Sequence, residues 1–76
     1  MASATYSSLL MTASAYMDAS TAEDIIQRQI AGIATPDSLS QSDLKTALVR
    51  VYTSLKLYVP DQARREELVA KIKNLV

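Results

Sequence analysis

Any acid–base or nucleophilic chemistry in this chain must come from serine, lysine and carboxylate side chains, because its 76 residues include no histidine and no cysteine. Without imidazole there is no Ser-His pair, and the commonest nitrogen ligand for a metal is missing too. Without thiols, disulfides and thiolate chemistry are excluded. A Ser-Lys pair is compatible with the composition, but no spacing singles one out. Two carboxylate pairs remain, Glu23-Asp24 and Glu66-Glu67. Adjacent residues on a helix point about 100° apart, and both pairs fall on predicted solvent faces, so they read as solvated charges. One glycine cannot build a phosphate-binding loop. Asp37 and Asp43 lack the oxygen-ligand spacing of a calcium loop. The chain reads as non-enzymatic, with no cofactor and no metal expected.

Its charges are sorted by position. Residues 1–43 carry five acids (Asp18, Glu23, Asp24, Asp37, Asp43) against Arg28 alone, a net charge of −4. Residues 44–76 carry seven bases (Lys45, Arg50, Lys56, Arg64, Arg65, Lys71, Lys73) against Asp61, Glu66 and Glu67, a net charge of +4. The chain is neutral overall and dipolar along its length. Its halves can attract each other within one fold, or attract the opposite half of a second copy.

The elements that position these residues are predicted to be helices. A single glycine, Gly32, and two prolines, Pro36 and Pro60, leave few helix breakers. The expected fold is all-α: one domain over 1–76, a small bundle of three to four helices at about 3–18, 21–33, 40–59 and 61–74. In the first, Tyr6, Leu9, Leu10, Ala13, Tyr16 and Met17 recur at three- and four-residue steps. Ser20 and Glu23 have the spacing of a capping box for the second, which Gly32 would end before the turn Thr35-Pro36-Asp37. Ser40 or Ser42 would cap the third, whose stripe is Leu44, Ala47, Leu48, Val51, Leu55, Tyr58 and Val59. Residues 49–59 also alternate as in a half-buried strand, but length and the lack of a pairing segment favour the helix. Pro60 stops that helix and suits the first turn of the next, with Asp61 against the positive end of its dipole. Leu68, Ile72 and Leu75 form the apolar face of the fourth.

Two short strings resemble known families. Asp37-Ser38-Leu39 resembles the phosphopantetheine attachment triplet of acyl carrier proteins, which are helical and of similar length. The likeness covers three residues, and Lys45, Arg50 and Lys56 stand where that family is acidic, so the triplet is read as a Ser/Asp-rich helix cap. The turn Thr35-Pro36-Asp37 is similar to the hairpin of type III secretion needle subunits in turn and length alone, and Pro60 would interrupt their long C-terminal helix.

No stretch approaches the ~20 apolar residues of a membrane span. Residues 1–17 are uncharged, but the missing Lys/Arg flank and the short Leu9-Leu10-Met11 core match neither a signal peptide nor a lipid-bound helix. The basic patch Arg64, Arg65, Lys71 and Lys73 is the feature that would touch phosphates, interrupted by Glu66 and Glu67, and argues weakly for nucleic acid. The absence of cysteine suits the cytoplasm and equally an extracellular or virion assembly.

Association is what remains. A chain this short buries only roughly 60–65% of its unfolded surface, and small domains compensate with disulfides, metals or partners. A solvated surface is normally about a quarter charged, so the uncharged start of the chain reads as an assembly arm over 1–20 that buries itself against another chain. The residues expected to contact a partner are Tyr6, Leu9, Leu10, Tyr16 and Met17 on the first helix, Tyr52 and Tyr58 on the third, and Arg64 and Arg65 on the fourth. The expected function is that of a non-catalytic helical subunit binding copies of itself, as in phage particles or secretion machines. The alternatives are an adaptor or chaperone-like domain that takes another protein's apolar helix between the third and fourth helices, and a weak nucleic-acid binder.

Overall fold

A computed structural model describes residues 2–76; Met1, the first residue of the expected arm, lies outside them. The chain forms α1 (Ala4–Ser14), α2 (Ala19–Ile30), α3 (Gln41–Lys56) and α4 (Gln62–Lys73), with no strand among the described residues. It is a small all-α bundle, as the periodicity predicts. The strand alternation at 49–59 gives way to helical spacing: Ala47, Val51 and Leu55 are buried at four-residue steps, while Val49 and Leu57 face solvent.

Local chemistry sets the boundaries. Ser3 caps α1 by accepting from the Tyr6 amide at 3.1 Å. At α2 the expected Ser20–Glu23 box does not form. The helix begins earlier, with Asp18 at the cap position and Ser20 already inside the first turn. The Ser20 hydroxyl donates to the Asp18 carboxylate at 2.7 Å, and Glu23 accepts from the Gln27 side-chain amide at 3.2 Å instead of reaching back. Gly32 adopts φ +86°, a left-handed conformation that disfavours a side chain, and turns the chain out of α2. The Ile33 and Ala34 amides then both donate to the Ile30 carbonyl, at 2.9 and 3.0 Å.

Ser40 opens α3 with a reciprocal box. Its hydroxyl accepts from the Asp43 amide at 3.1 Å, and the Asp43 carboxylate accepts from the Ser40 amide at 3.2 Å. The helix closes at Leu57, and Val59 dips into the core just before Pro60. Pro60 precedes α4 and does not occupy its first turn. Asp61 is the cap, accepting from the Ala63 and Arg64 amides at 2.9 and 3.4 Å.

The helices run alternately between two ends of the bundle. At one end the Ser3 amide donates to the Pro36 carbonyl at 2.9 Å, and Gln41 reaches the Leu75 carbonyl at 3.4 Å. At the other, Arg64 at the start of α4 meets the Ala15 carbonyl just past α1. Neighbouring pairs are α1–α2, α2–α3, α3–α4 and α4–α1, with α1 also touching α3 across the centre. The shared core takes Leu9 from α1, Ile26 and Ile30 from α2, Leu44, Val51 and Leu55 from α3, and Leu68 and Ile72 from α4. Loop residues Leu39 and Val59 close its ends. No polar or charged residue is buried among the described residues.

The accessible surface is 4483 Å² for 8.3 kDa, against about 4,600 Å² expected of a folded monomer of that mass. The radius of gyration is 11.1 Å, against about 11.4 Å for a compact 76-residue domain. The bundle therefore closes over its own core to the degree its size permits.

Candidate interaction surface

The residues expected to meet a partner divide into three groups. Tyr6 and Leu9 are buried in the chain's own core, and Leu10, Tyr16 and Met17 pack partly buried against it. The first helix is thus built into the bundle, and its apolar stripe is occupied intramolecularly. Tyr52 is half-buried and Tyr58 is 55% exposed. Arg64 is exposed and Arg65 half-buried.

What α1 leaves outward is Ala4, Ser7, Ser8, Met11 and Ala15. These positions lie opposite its buried face, and none carries a charge. Met11 is 75% exposed at the middle of that surface. An outer helix face with no ionisable group is unusual for solvated protein.

Tyr16 ties the α1–α2 turn to α4. Its hydroxyl donates to the Glu67 carboxylate at 2.5 Å. Its ring lies 5.1 Å from the Arg64 guanidinium carbon and 5.2 Å from Lys71 Nζ, a cation–π arrangement on both counts. Arg64 also donates to the Ala15 carbonyl at 3.3 Å, and Lys71 pairs with Glu67 at 3.1 Å. The Tyr16 hydrogen bond, followed by Lys71, holds the Glu67 carboxyl below its usual range. The Tyr16 hydroxyl, followed by Glu67, holds the Lys71 ammonium above its own. Glu67, expected to be only a solvated charge, is a structural contact. Its spacing from Arg64 and Lys71 along one face of α4 was visible in the sequence; its partner 51 residues away was not.

The sequence dipole becomes a dipole across the width of the bundle. The α1–α2 hairpin carries Asp18, Glu23 and Asp24 against Arg28. Beside it, α3 carries Lys45, Arg50 and Lys56 against Asp43, and α4 with its cap carries Arg64, Arg65, Lys71 and Lys73 against Asp61, Glu66 and Glu67. The ion pairs Arg28–Asp24, at 3.0 Å, and Lys71–Glu67 each stay within one helix. Bridging the two sides are the Tyr16 hydroxyl on Glu67, Arg64 on the Ala15 carbonyl, and the Tyr16 ring against Arg64 and Lys71.

An open groove of about 500 Å³ lies along α4, with Lys56 at the end of α3 also lining it. Lys56, Arg65 and Lys73 supply its cations, Gln62 and Glu66 its polar wall, and Val69 and Ala70 its apolar surface. Tyr52 and Tyr58, expected to anchor an apolar helix there, are not among the residues that line it. Lys73 lies 5.3 Å from the Tyr52 ring centre, covering that ring with a charge.

The remaining candidates for chemistry are plainly placed. Glu23, Asp24, Glu66 and Glu67 are all exposed. Among the described residues no three His, Cys, Asp or Glu side chains gather as a metal-ligand set. Ser38 sits in the turn before α3, where its hydroxyl accepts from the Thr35 amide at 2.9 Å, and α3 itself starts at Gln41 under the Ser40 cap. The Asp37-Ser38-Leu39 string thus stabilises a turn, and Leu39 is buried. No helix is long and apolar enough to cross a membrane among the described residues. Comparison with protein families, with curated proteins and with solved structures finds no match to this chain.

Proposed function

We propose that this protein is a non-catalytic helical subunit that works by associating with copies of itself. The observation that carries this reading is the separation of charge across the bundle. One side is acidic, the other basic, and the ion pairs described, Arg28–Asp24 and Lys71–Glu67, each lie within a single helix. Two copies placed acidic side to basic side gain attraction that a single copy does not make internally. Such a contact joins different surfaces of the two subunits, so it builds a ring if the rotation closes and a filament if it does not. The uncharged outer face of α1, with Met11 at its centre, adds surface whose burial costs no ion desolvation. Measuring solution mass against concentration and salt tests the proposal, since attraction between exposed charges fades as salt rises.

The adaptor alternative has less support. The groove lies along α4 and takes Lys56 alone from α3, its cationic rim suits an acidic occupant better than an apolar helix, and Tyr52 is covered by Lys73. Nucleic-acid binding is also weakly supported. Arg64 and Lys71 are engaged with Tyr16, and Lys71 with Glu67, so the basic helix presents fewer free cations than its composition suggests.

A further inference from the structure

We infer that the groove along α4 is the acceptor for the acidic outer face of α2 from a second copy, with Glu23 as the leading charge and Asp24 beside it; this rests on the self-association reading and names its two surfaces. Length is the first argument. The groove follows α4 from Gln62 to Lys73, which at 1.5 Å per residue is about 17 Å. The twelve residues of α2 span about 18 Å by the same rise.

Charge is the second. Three cations, Lys56, Arg65 and Lys73, line the groove against Glu66 alone, and the Glu66 carboxylate already accepts from the Gln62 side-chain amide at 3.5 Å. Arg65 is fixed in place by donating one N–H to the Pro60 carbonyl at 3.2 Å. Three cations against one carboxylate favour an acidic neighbour. The outer face of α2 offers the carboxylate of Glu23, with Asp24 beside it. Glu23 and Asp24 stand exposed between Ser20 and Gln27, opposite the buried Ala22, Ile25, Ile26 and Ile30. Arg28, the one base on that face, pairs with Asp24 at 3.0 Å, so Glu23 carries the uncompensated charge.

Shape is the third. Val69 and Ala70 are short side chains at the middle of the groove, which lets another helix approach α4 closely there. Because α2 and the groove are different surfaces, a subunit that has donated its α2 still has an empty groove, and growth continues from it.

The test is a charge exchange on the full chain. Glu23→Lys with Asp24→Lys makes the donor face basic, and Lys56→Glu with Lys73→Glu makes the groove acidic. All four side chains lie at the surface or its edge, and retained helical circular dichroism establishes that each variant folds. Each double variant alone is expected to associate at least about tenfold more weakly than the parent, since like charges now face each other. An equimolar mixture of the two, or one chain carrying all four substitutions, is expected to recover association, because opposite charges face again. Loss without recovery, or parent-like affinity in both double variants, overturns the assignment of these surfaces while the parent's own association still stands. A parent that stays monomeric in the same experiment overturns the self-association reading and this inference together.

Discussion

Tyr16 and Glu67, 51 residues apart in sequence, meet through a hydroxyl–carboxylate hydrogen bond of 2.5 Å that fastens the α1–α2 turn to α4. The contact closes the ring of four helices at the junction where α1 and α4, the first and last of them, come together. It also makes one carboxyl and one ammonium responsive to folding. The Glu67 carboxyl is lowered by Tyr16 and then Lys71, so the stability it contributes is present above the usual carboxylate value of 4.5 and is lost as pH falls through the lower folded value. The Lys71 ammonium is raised by Tyr16 and then Glu67, so its contribution is present below 10.5 and is lost as pH rises through the higher folded value.

Tyr16→Phe and Glu67→Gln are therefore expected to flatten the dependence of Tm on pH at the acid end. Tyr16→Phe should also flatten it at the alkaline end. Thermal melts followed by circular dichroism across the acid range check this directly. A Tyr16→Phe chain whose acid limb superimposes on the parent's would show that the hydrogen bond is absent in solution.

The first helix is a core element, and substitutions on its two faces should separate. Leu9 is fully buried, and truncation of such a leucine to alanine costs about 2–5 kcal/mol. A 76-residue domain has roughly 4–11 kcal/mol in total, so Leu9→Ala removes much of it. Met11→Ala, on the exposed face, should change stability by no more than about 0.5 kcal/mol. Urea unfolding of the two variants makes the comparison; equal losses would place α1 outside the core.

The serines that resemble helix caps are not equivalent. Ser40→Ala breaks the reciprocal box at the head of α3 and is expected to cost about 1 kcal/mol. Ser20→Ala removes only an exposed hydroxyl contact to Asp18, and a change within about 0.5 kcal/mol is expected. Equilibrium denaturation would reverse this ranking if Ser20 and Glu23 formed the box in solution.

Gly32 tests the backbone alone. A methyl group built at that position meets nothing within 4 Å, yet φ is +86°. Gly32→Ala should lose about 1 kcal/mol or slightly more through strain, with no steric component. A stabilised variant would mean the end of α2 adopts a different turn.

Much of this architecture was legible because local chemistry dictates it. Pro60 cannot continue a helix, Gly32 tolerates positive φ, and Ser40, one of two candidate caps with Ser42, satisfies a free amide of α3, so the breaks fall where those residues stand. The helical periods of Leu9 with Ala13 and of Ala47, Val51 and Leu55 mark the core face for the same reason. The start of α2 was misplaced because Asp18 and Ser20 are both competent caps two residues apart, and sequence does not rank them. The Tyr16–Glu67 clasp was invisible because no local rule joins residues so distant. The uncharged first helix invited reading as an arm. Its composition is consistent with burial, but Tyr6, Leu9 and Ala13 are buried by this chain itself, leaving Met11 and its small neighbours as the outward surface.

Sedimentation equilibrium over a range of protein and salt concentrations reads out whether the proposed contact of acidic side to basic side joins copies of this bundle. The Debye length shrinks from about 30 Å at 0.01 M salt to about 3 Å at 1 M. The mean mass is expected to climb above 8.3 kDa with protein concentration in dilute salt and to return to it as salt is added. A mass fixed at that of one chain throughout, or an oligomer indifferent to salt, would contradict that contact.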